Sequence, residues 1–197
     1  KRINKGALNI ESQEVKFKLN EKDHPVDVFL KVSKEAHQLI EECMLCANCS
    51  VGTYLTEQQI PFIMRAHHAP NADKVDALVD YFKAQDIALP HDPKPIHMQQ
   101  ALSEVADFKR SEAESMVLRT MSQAFYSPND DYHYALSTKA YTHFTSPIRR
   151  YVDLTVHRAL IEAIEQPSLD EIARDCSLTE RYADEASWFA QAWLKVK

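Results

Sequence analysis

The sequence predicts an α+β fold, mostly helical, with antiparallel strands gathered near the N-terminus. Three observations carry this. Only 2 of the 197 residues are Gly, against an average usage of about 7%, a scarcity that favours helix and excludes P-loops and GxGxxG turns. Apolar and polar residues alternate over Val15-Lys16-Phe17-Lys18-Leu19, and Val26, Val28, Leu30 and Val32 alternate in the same way. From Ser33 onward the apolar spacing lengthens to that of a helix face.

The two alternating runs flank the polar stretch Asn20–His24 and read as an antiparallel hairpin with one buried face. Ser33 is the expected N-cap of the next helix, in which His37, Ile40, Met44 and Ala47 share a side. Pro61–Ile63 reads as a short strand. Asn71 then caps a helix whose stripe is Val75, Leu78, Val79 and Phe82. Three prolines (Pro90, Pro93, Pro95) make Leu89–Pro95 a loop. Short helices are expected over 97–107 and 111–126, followed by a turn at Ser127-Pro128-Asn129-Asp130. Ser146-Pro147 reads as a helix start, with Ser as cap and Pro at the first helical position. Ser168-Leu169-Asp170-Glu171 and Ser177-Leu178-Thr179-Glu180 both read as capping boxes. The last helix carries Leu178, Tyr182, Ala186, Phe189 and Trp193 on one side. The sequence contains no internal repeat, low-complexity tract or linker.

Composition bounds the function. The formal net charge is −6. That balance argues against a surface that coats nucleic acid, yet leaves room for a basic channel inside an acidic protein. No run approaches the roughly 18 apolar residues of a membrane helix, so no membrane partner is expected. No apolar run is followed by a small-residue cleavage site, so no signal peptide is expected, and four Cys without one read as reduced thiols in a cytoplasm.

Several constellations invite a chemical reading. Cys43, Cys46 and Cys49 form C-x-x-C-x-x-C, but Thr53 stands where a fourth ligand of an iron–sulfur motif would fall. Their place inside one helix favours inert thiols, and no metal ligand set is assigned to this chain. His67-His68 lacks neighbouring ligands at metal spacing and reads as structural. Asp130-Asp131 reads as a solvated turn. Trp188 and Trp193 read as core or docking anchors in preference to base-stacking platforms.

The segment Tyr141-Thr142-His143-Phe144-Thr145-Ser146-Pro147-Ile148-Arg149-Arg150-Tyr151 has the strongest logic. A helix opened by Ser146-Pro147 would present free N–H groups and the positive dipole end, a site suited to phosphate. Two arginines in its first turn would be disfavoured by that dipole unless an anion compensated them. Either a bound phosphate or acidic side chains from elsewhere in the fold would serve, and the spacing leaves both open.

His143-Phe144-Thr145-Ser146-Pro147-Ile148-Arg149-Arg150-Tyr151, followed by Asp153-Leu154 and His157-Arg158, resembles the signature of the RNB domain, the catalytic domain of the RNase R/RNase II family of exoribonucleases. Further motifs resemble that family in order: Gly6-Ala7-Leu8 with Glu11-Ser12, Ala36–Asn48, Pro61 with Arg65-Ala66-His67 and Pro70, Leu118-Arg119-Thr120-Met121 with Ala124 and Tyr126, and Cys176-Ser177 with Glu180-Arg181 and Ala183–Ala186. Within the family the RNase R branch is closer, because the glutamates precede Cys43-Met44 and the arginine pair is Arg-Arg.

The resemblance implies a fold and a chemistry. Residues 1–197 would be the C-terminal half of an RNB catalytic domain, with the metal-binding half and the flanking OB-fold domains outside this chain. The whole polypeptide, monomeric at full length, would hydrolyse single-stranded RNA processively from its 3′ end and release nucleoside 5′-monophosphates. Mg²⁺ would be the cofactor, held by aspartates upstream of Gly6 and so outside this chain. Arg149 matches the family arginine that contacts the scissile phosphate and is the expected catalytic residue. Glu42 matches the glutamate that holds the 3′-terminal nucleotide, where a carboxylate can accept from a ribose 2′-hydroxyl. Arg150, Tyr151 and Ile10 complete the expected RNA-binding set, although Arg150 and Tyr151, with Asp153, also read as structural neighbours. Three positions depart from the pattern: Ile10 replaces a base-stacking aromatic of RNase II, Ala135 a usual Gly, and Asp86 a helix-ending Gly. An RNB-like RNA-binding protein without nuclease activity is the alternative, and a helical interaction scaffold a third reading.

Overall fold

The computed structural model describes residues 6–10, 14–31, 34–129, 132–161 and 168–196. The order is β1 (Glu14–Leu19), β2 (Pro25–Lys31), α1 (Glu35–Glu57), β3 (Met64–Ala66), α2 (Ala72–Lys83), α3 (Pro95–Glu104), a single 3₁₀ turn (Asp107–Lys109), α4 (Arg110–Thr120), β4 (Phe125–Ser127), α5 (Tyr151–Leu160) and α6 (Leu169–Val196). The fold is α+β and mostly helical, with an antiparallel hairpin first, as expected.

β1 and β2 pair antiparallel with Val15 opposite Leu30 and Phe17 opposite Val28, so the alternating apolar residues do share one face. That face is not buried, against expectation: Val15 and Phe17 are half-covered, while Val28 and Leu30 are exposed. No other element among the described residues lies over it. The first half of α1 behaves likewise. Ile40 is 59% exposed, and burial begins at Asn48, Gly52 and Leu55. The C-terminal stripe of α6, including Tyr182, Phe189 and Trp193, is also exposed. Val32, Ser33, Glu11-Ser12 and Asp130-Asp131 lie outside the described residues.

α2 forms as its stripe requires. Asn71 accepts from the Asp73 N–H, and Val75, Leu78, Val79 and Phe82 meet Met98, Leu102, Ala113 and Val117 of α3 and α4 in the first core. Fully burying a side chain such as Leu78 or Phe82 contributes about 1.5–3 kcal/mol. Asp86, in the place of a helix-ending Gly, adopts that residue's left-handed conformation (φ 59°). Ala135 does not need a glycine: its carbonyl accepts from the Leu8 N–H, and its own N–H reaches Nδ1 of His67.

The other two cores lie either side of the extended segment at 62–64. Phe62 and Met64 pack with Leu55, Val156 and Ala159, whereas Ile63 between them packs with Tyr126, Val152 and Ala173. Period-2 alternation thus feeds α1 and α5 on one side and β4, α5 and α6 on the other. Pairing begins one residue beyond the expected strand at 61–63, with Arg65 opposite Tyr126 in a second small sheet. Strands are therefore not confined to the start of the chain. β4 also ends the helix expected over 111–126: α4 stops at Thr120, and residues 125–127 are extended to meet β3.

Two helix starts read from sequence are absent. Ser177–Glu180 lies inside the continuous α6. Ser177 Oγ donates to the Ala173 carbonyl and accepts from the Tyr126 N–H, and Glu180 pairs with Arg65, so both residues serve tertiary contacts. Ser146-Pro147 opens a turn, not a helix. The N–H groups of Arg149 and Arg150 both reach the Ser146 carbonyl, and α5 begins only at Tyr151, after an extended Arg150. Proline presets φ for the second position of such a turn as readily as for a helix start.

Candidate functional site: the arginine turn

The turn at 146–150 is built from α5. Asp153, fully buried, reaches back three residues to Arg150 and seven to Ser146. Its Oδ1 accepts from the Ser146 N–H at 2.7 Å and from Arg150 Nη2 at 2.9 Å, while Oδ2 lies 2.8 Å from Arg150 Nε. This carboxylate supplies the acidic partner that one of the two sequence readings required, but for Arg150 alone. Arg149 is exposed and has no ion pair or side-chain hydrogen bond among the described residues. The pair of arginines is thereby split into one that holds the turn and one that is available. Arg149 and Arg150 precede the helix instead of lying within its first turn, which removes the unfavourable dipole argument for a bound anion. What remains is a guanidinium left unpaired beside a buried anchor.

Arg149, Arg150 and Tyr151 line one cavity of about 570 Å³ together with Tyr126 and, from α6, Asp175, Thr179 and Glu180. Of the residues expected from sequence, these three are the ones brought together. Glu42 lies on the exposed half of α1 and Ile10 is half-buried against the first core beside Leu8; neither lines that cavity.

Behind the turn stands an aromatic and imidazole layer that sequence reasoning missed. Arg65 forks onto Glu180 at 2.6 and 3.1 Å and places its guanidinium 4.6 Å from the Tyr126 ring centroid. The Tyr126 hydroxyl meets His143 Nδ1 at 2.9 Å. His67 stacks on His133, which meets Tyr141 edge-on, and Tyr141 meets His143 in the same way. Burial pushes His133 and His143 down to about 3, helped at His143 by the charges of Arg150, Arg65, His133 and Arg149. Burial also lowers His67 and pushes the Tyr126 hydroxyl up to about 12. These groups are neutral at physiological pH, so the positive field at the turn comes from its guanidinium groups. The one signal available in the sequence was the density of His and Tyr between 126 and 143.

The cysteines do not assemble a centre: Cys43 and Cys46 are exposed, Cys49 is half-buried, and none is in a disulfide. Among the described residues no group of three or more His, Cys, Asp or Glu is placed to hold a metal ion, so the residues here do not fit the Mg²⁺ that the resemblance implies. Nor does any described helix have the length and apolarity to cross a membrane.

Comparison with known proteins defines the class. The RNB domain family matches residues 1–166, and the chain belongs to that family. Ribonuclease R of Thermotoga maritima is 39% identical over 213 aligned positions, which take in all of this chain and 30% of the relative. Ribonuclease R of Escherichia coli is 34% identical, with 98% of this chain and 26% of the relative covered. Among solved structures, Mycoplasma genitalium RNase R in complex with ribose-methylated single-stranded RNA superposes with a TM-score of 0.90 at 28% identity, over 98% of this chain and 33% of that one. The chain thus spans between a quarter and a third of the length of these proteins.

Proposed function

We propose that this chain is the C-terminal part of the catalytic domain of an RNase R-type exoribonuclease, and that the full-length polypeptide hydrolyses RNA from its 3′ end to nucleoside 5′-monophosphates. The observation that carries the reading is the division of labour between Arg149 and Arg150. Arg150 is neutralised by buried Asp153, and Arg149 is exposed and, among the described residues, unpaired on a turn fixed at both ends. A planar guanidinium held this way suits bidentate contact with a phosphate and stabilises charge that develops on it. RNA as ligand is supported by the Mycoplasma relative, whose structure contains single-stranded RNA. Glu42 is assigned to the 3′-terminal ribose, Arg150 and Tyr151 to the wall beside the phosphate, and Ile10 to the place of a stacking aromatic. Mg²⁺ is the proposed cofactor, with its aspartates in sequence upstream of this chain. The proposed setting is cytoplasmic and the full-length enzyme monomeric.

The test is end-labelled single-stranded RNA with the full-length protein. A 5′-labelled substrate should shorten progressively from the 3′ end in the presence of Mg²⁺, with monophosphates as product. Internal cuts, or RNA bound and left intact, would reject this reading; the second result would favour an RNA-binding protein without nuclease activity.

A further inference from the structure

The turn that carries Arg149 is anchored to α5 by Asp153, but one contact ties the same stretch of chain to α1, the helix that carries Glu42. Asn48 is buried at 3% exposure. Its Oδ1 accepts from the Phe144 N–H at 3.0 Å, and its Nδ2 donates to the Tyr141 hydroxyl at 3.1 Å. The carbonyl of the same Phe144 faces His157 Nε2 of α5 at 3.0 Å, and the Phe144 ring stacks on that imidazole with centroids 4.1 Å apart. Phe144 is therefore held from α1 through its N–H and from α5 through its carbonyl, two residues before the Asp153-bound Ser146.

The seam has no slack along α1. A Cβ on Gly52, one helical turn beyond Asn48, would fall 1.8 Å from the Ala140 carbonyl oxygen, so helix and loop meet backbone to backbone. Thr142 between them is fully buried, with its hydroxyl donating to the Ile63 carbonyl. Glu42 precedes Asn48 by six residues on one continuous helix, a rise of about 9 Å.

We propose that Asn48 is a positioning residue of the nuclease: its side-chain amide fixes the turn that presents Arg149 relative to the helix that presents Glu42. The inference rests on the functional reading above, since it gives Asn48 no contact with RNA. Both ends of the amide are occupied in the protein, so Asn48 acts through the backbone of Phe144. Packing of α1 against α5 through Leu55 and Val156, with the Gly52–Ala140 approach and the Thr142 hydroxyl, seats the start of the loop but gives the register at Phe144 no directional bond from α1. A buried amide with two directional bonds sets that register.

The experiment is single-turnover cleavage and equilibrium binding of one single-stranded RNA by the full-length protein, with thermal unfolding measured alongside. Asn48→Ala removes both bonds; Asn48→Asp keeps an acceptor for the Phe144 N–H and accepts from the Tyr141 hydroxyl. We expect Asn48→Ala to lower the saturated cleavage rate on the order of 10²-fold, the scale of a misplacement near 1 Å, while affinity changes little. Asn48→Asp should restore most of that rate. If Asn48→Ala does not fold, Asn48→Ser, too short to span to Phe144, takes its place. Combining the defective variant with Arg149→Lys should cost little beyond Arg149→Lys alone, because both act on one guanidinium. Additive losses, or a loss of melting temperature with the saturated rate intact, would overturn the role of Asn48 and leave that of Arg149 standing. Full cleavage by Arg149→Lys would instead remove the phosphate role itself, and the positioning role with it.

Discussion

Buried Asp153 and half-buried Arg150 form an ion pair across one turn of chain, and the same carboxylate oxygen that receives Arg150 Nη2 also receives the Ser146 N–H. Removing the carboxylate leaves the Arg150 guanidinium without its partner, and only part of its side chain reaches solvent. Asp153→Ala should therefore destabilise the protein by about 1–3 kcal/mol, since only the carboxylate end of the pair is fully buried. It also orphans the Ser146 N–H. Urea unfolding of the variant beside the parent would measure this, and a change below about 1 kcal/mol would mean that the turn is held by other contacts.

Arg149→Lys and Arg150→Lys separate the two arginines. Lysine keeps the charge and loses the planar fork. At Arg149, exposed and unpaired among the described residues, the loss should fall on the reaction: single-turnover cleavage by the full-length enzyme should drop about 10²–10³-fold. RNA affinity should change much less, since many phosphate contacts share the binding. At Arg150, the fork belongs to Asp153, so Arg150→Lys should lower stability and reduce cleavage less. Equal losses of binding and cleavage in Arg149→Lys would make Arg149 a general RNA clamp.

Local signals in the sequence were legible where local physics decides the outcome. The hairpin register follows from period-2 alternation, and α2 follows from Asn71 and its apolar stripe. The family resemblance added the order of the motifs and pointed to Arg149 as the proposed phosphate contact. Where tertiary partners decide, local signals misled. Ser146-Pro147 has the chemistry of a helix start, yet the fold uses Pro147 in a turn because Asp153 takes the Ser146 N–H from seven residues away. Ser177 and Glu180 have the spacing of a capping box and are recruited by Tyr126 and Arg65 instead. β3 and β4 are three residues each and paired across some 60 positions, too short to show a period. Asn48 was visible as part of a motif, but its two bonds depend on residues about 95 positions further on.

The metal predictions follow from which donors are present. The 197-residue segment alone should leave RNA intact whether or not Mg²⁺ is supplied, whereas the full-length protein should degrade it. The segment should also purify without stoichiometric zinc or iron, because Cys43, Cys46 and Cys49 follow one helix and, among the described residues, no group of three or more His, Cys, Asp or Glu is placed to hold a metal ion. Elemental analysis and a monophosphate-release assay check both. Zinc near one equivalent that disappears in Cys46→Ser, or Mg²⁺-dependent release by the segment, would show a metal site within these residues.

The neutral histidine layer predicts an acid-sensitive fold. His133 and His143 are pushed down to about 3 in the folded protein, by burial first, then at His133 by His67 and Arg65 and at His143 by Arg150, Arg65, His133 and Arg149. In the unfolded chain a histidine titrates near about 6.5. Above that value both states are neutral and the pair contributes no pH dependence. Below it the unfolded chain binds protons that the folded chain cannot accept, so stability falls as the pH drops from about 6.5 toward the folded-state values. The slope is at most about 1.4 kcal/mol per pH unit for each histidine over that window. Urea unfolding of the segment at about pH 7, 5.5 and 4.5 would record the decline. His143→Gln, whose side-chain oxygen can still accept from Tyr126, should flatten it by up to one histidine's share. An unchanged slope in that variant would mean that His143 is protonated inside the fold, and that the positive field at the Arg149 turn includes an imidazolium.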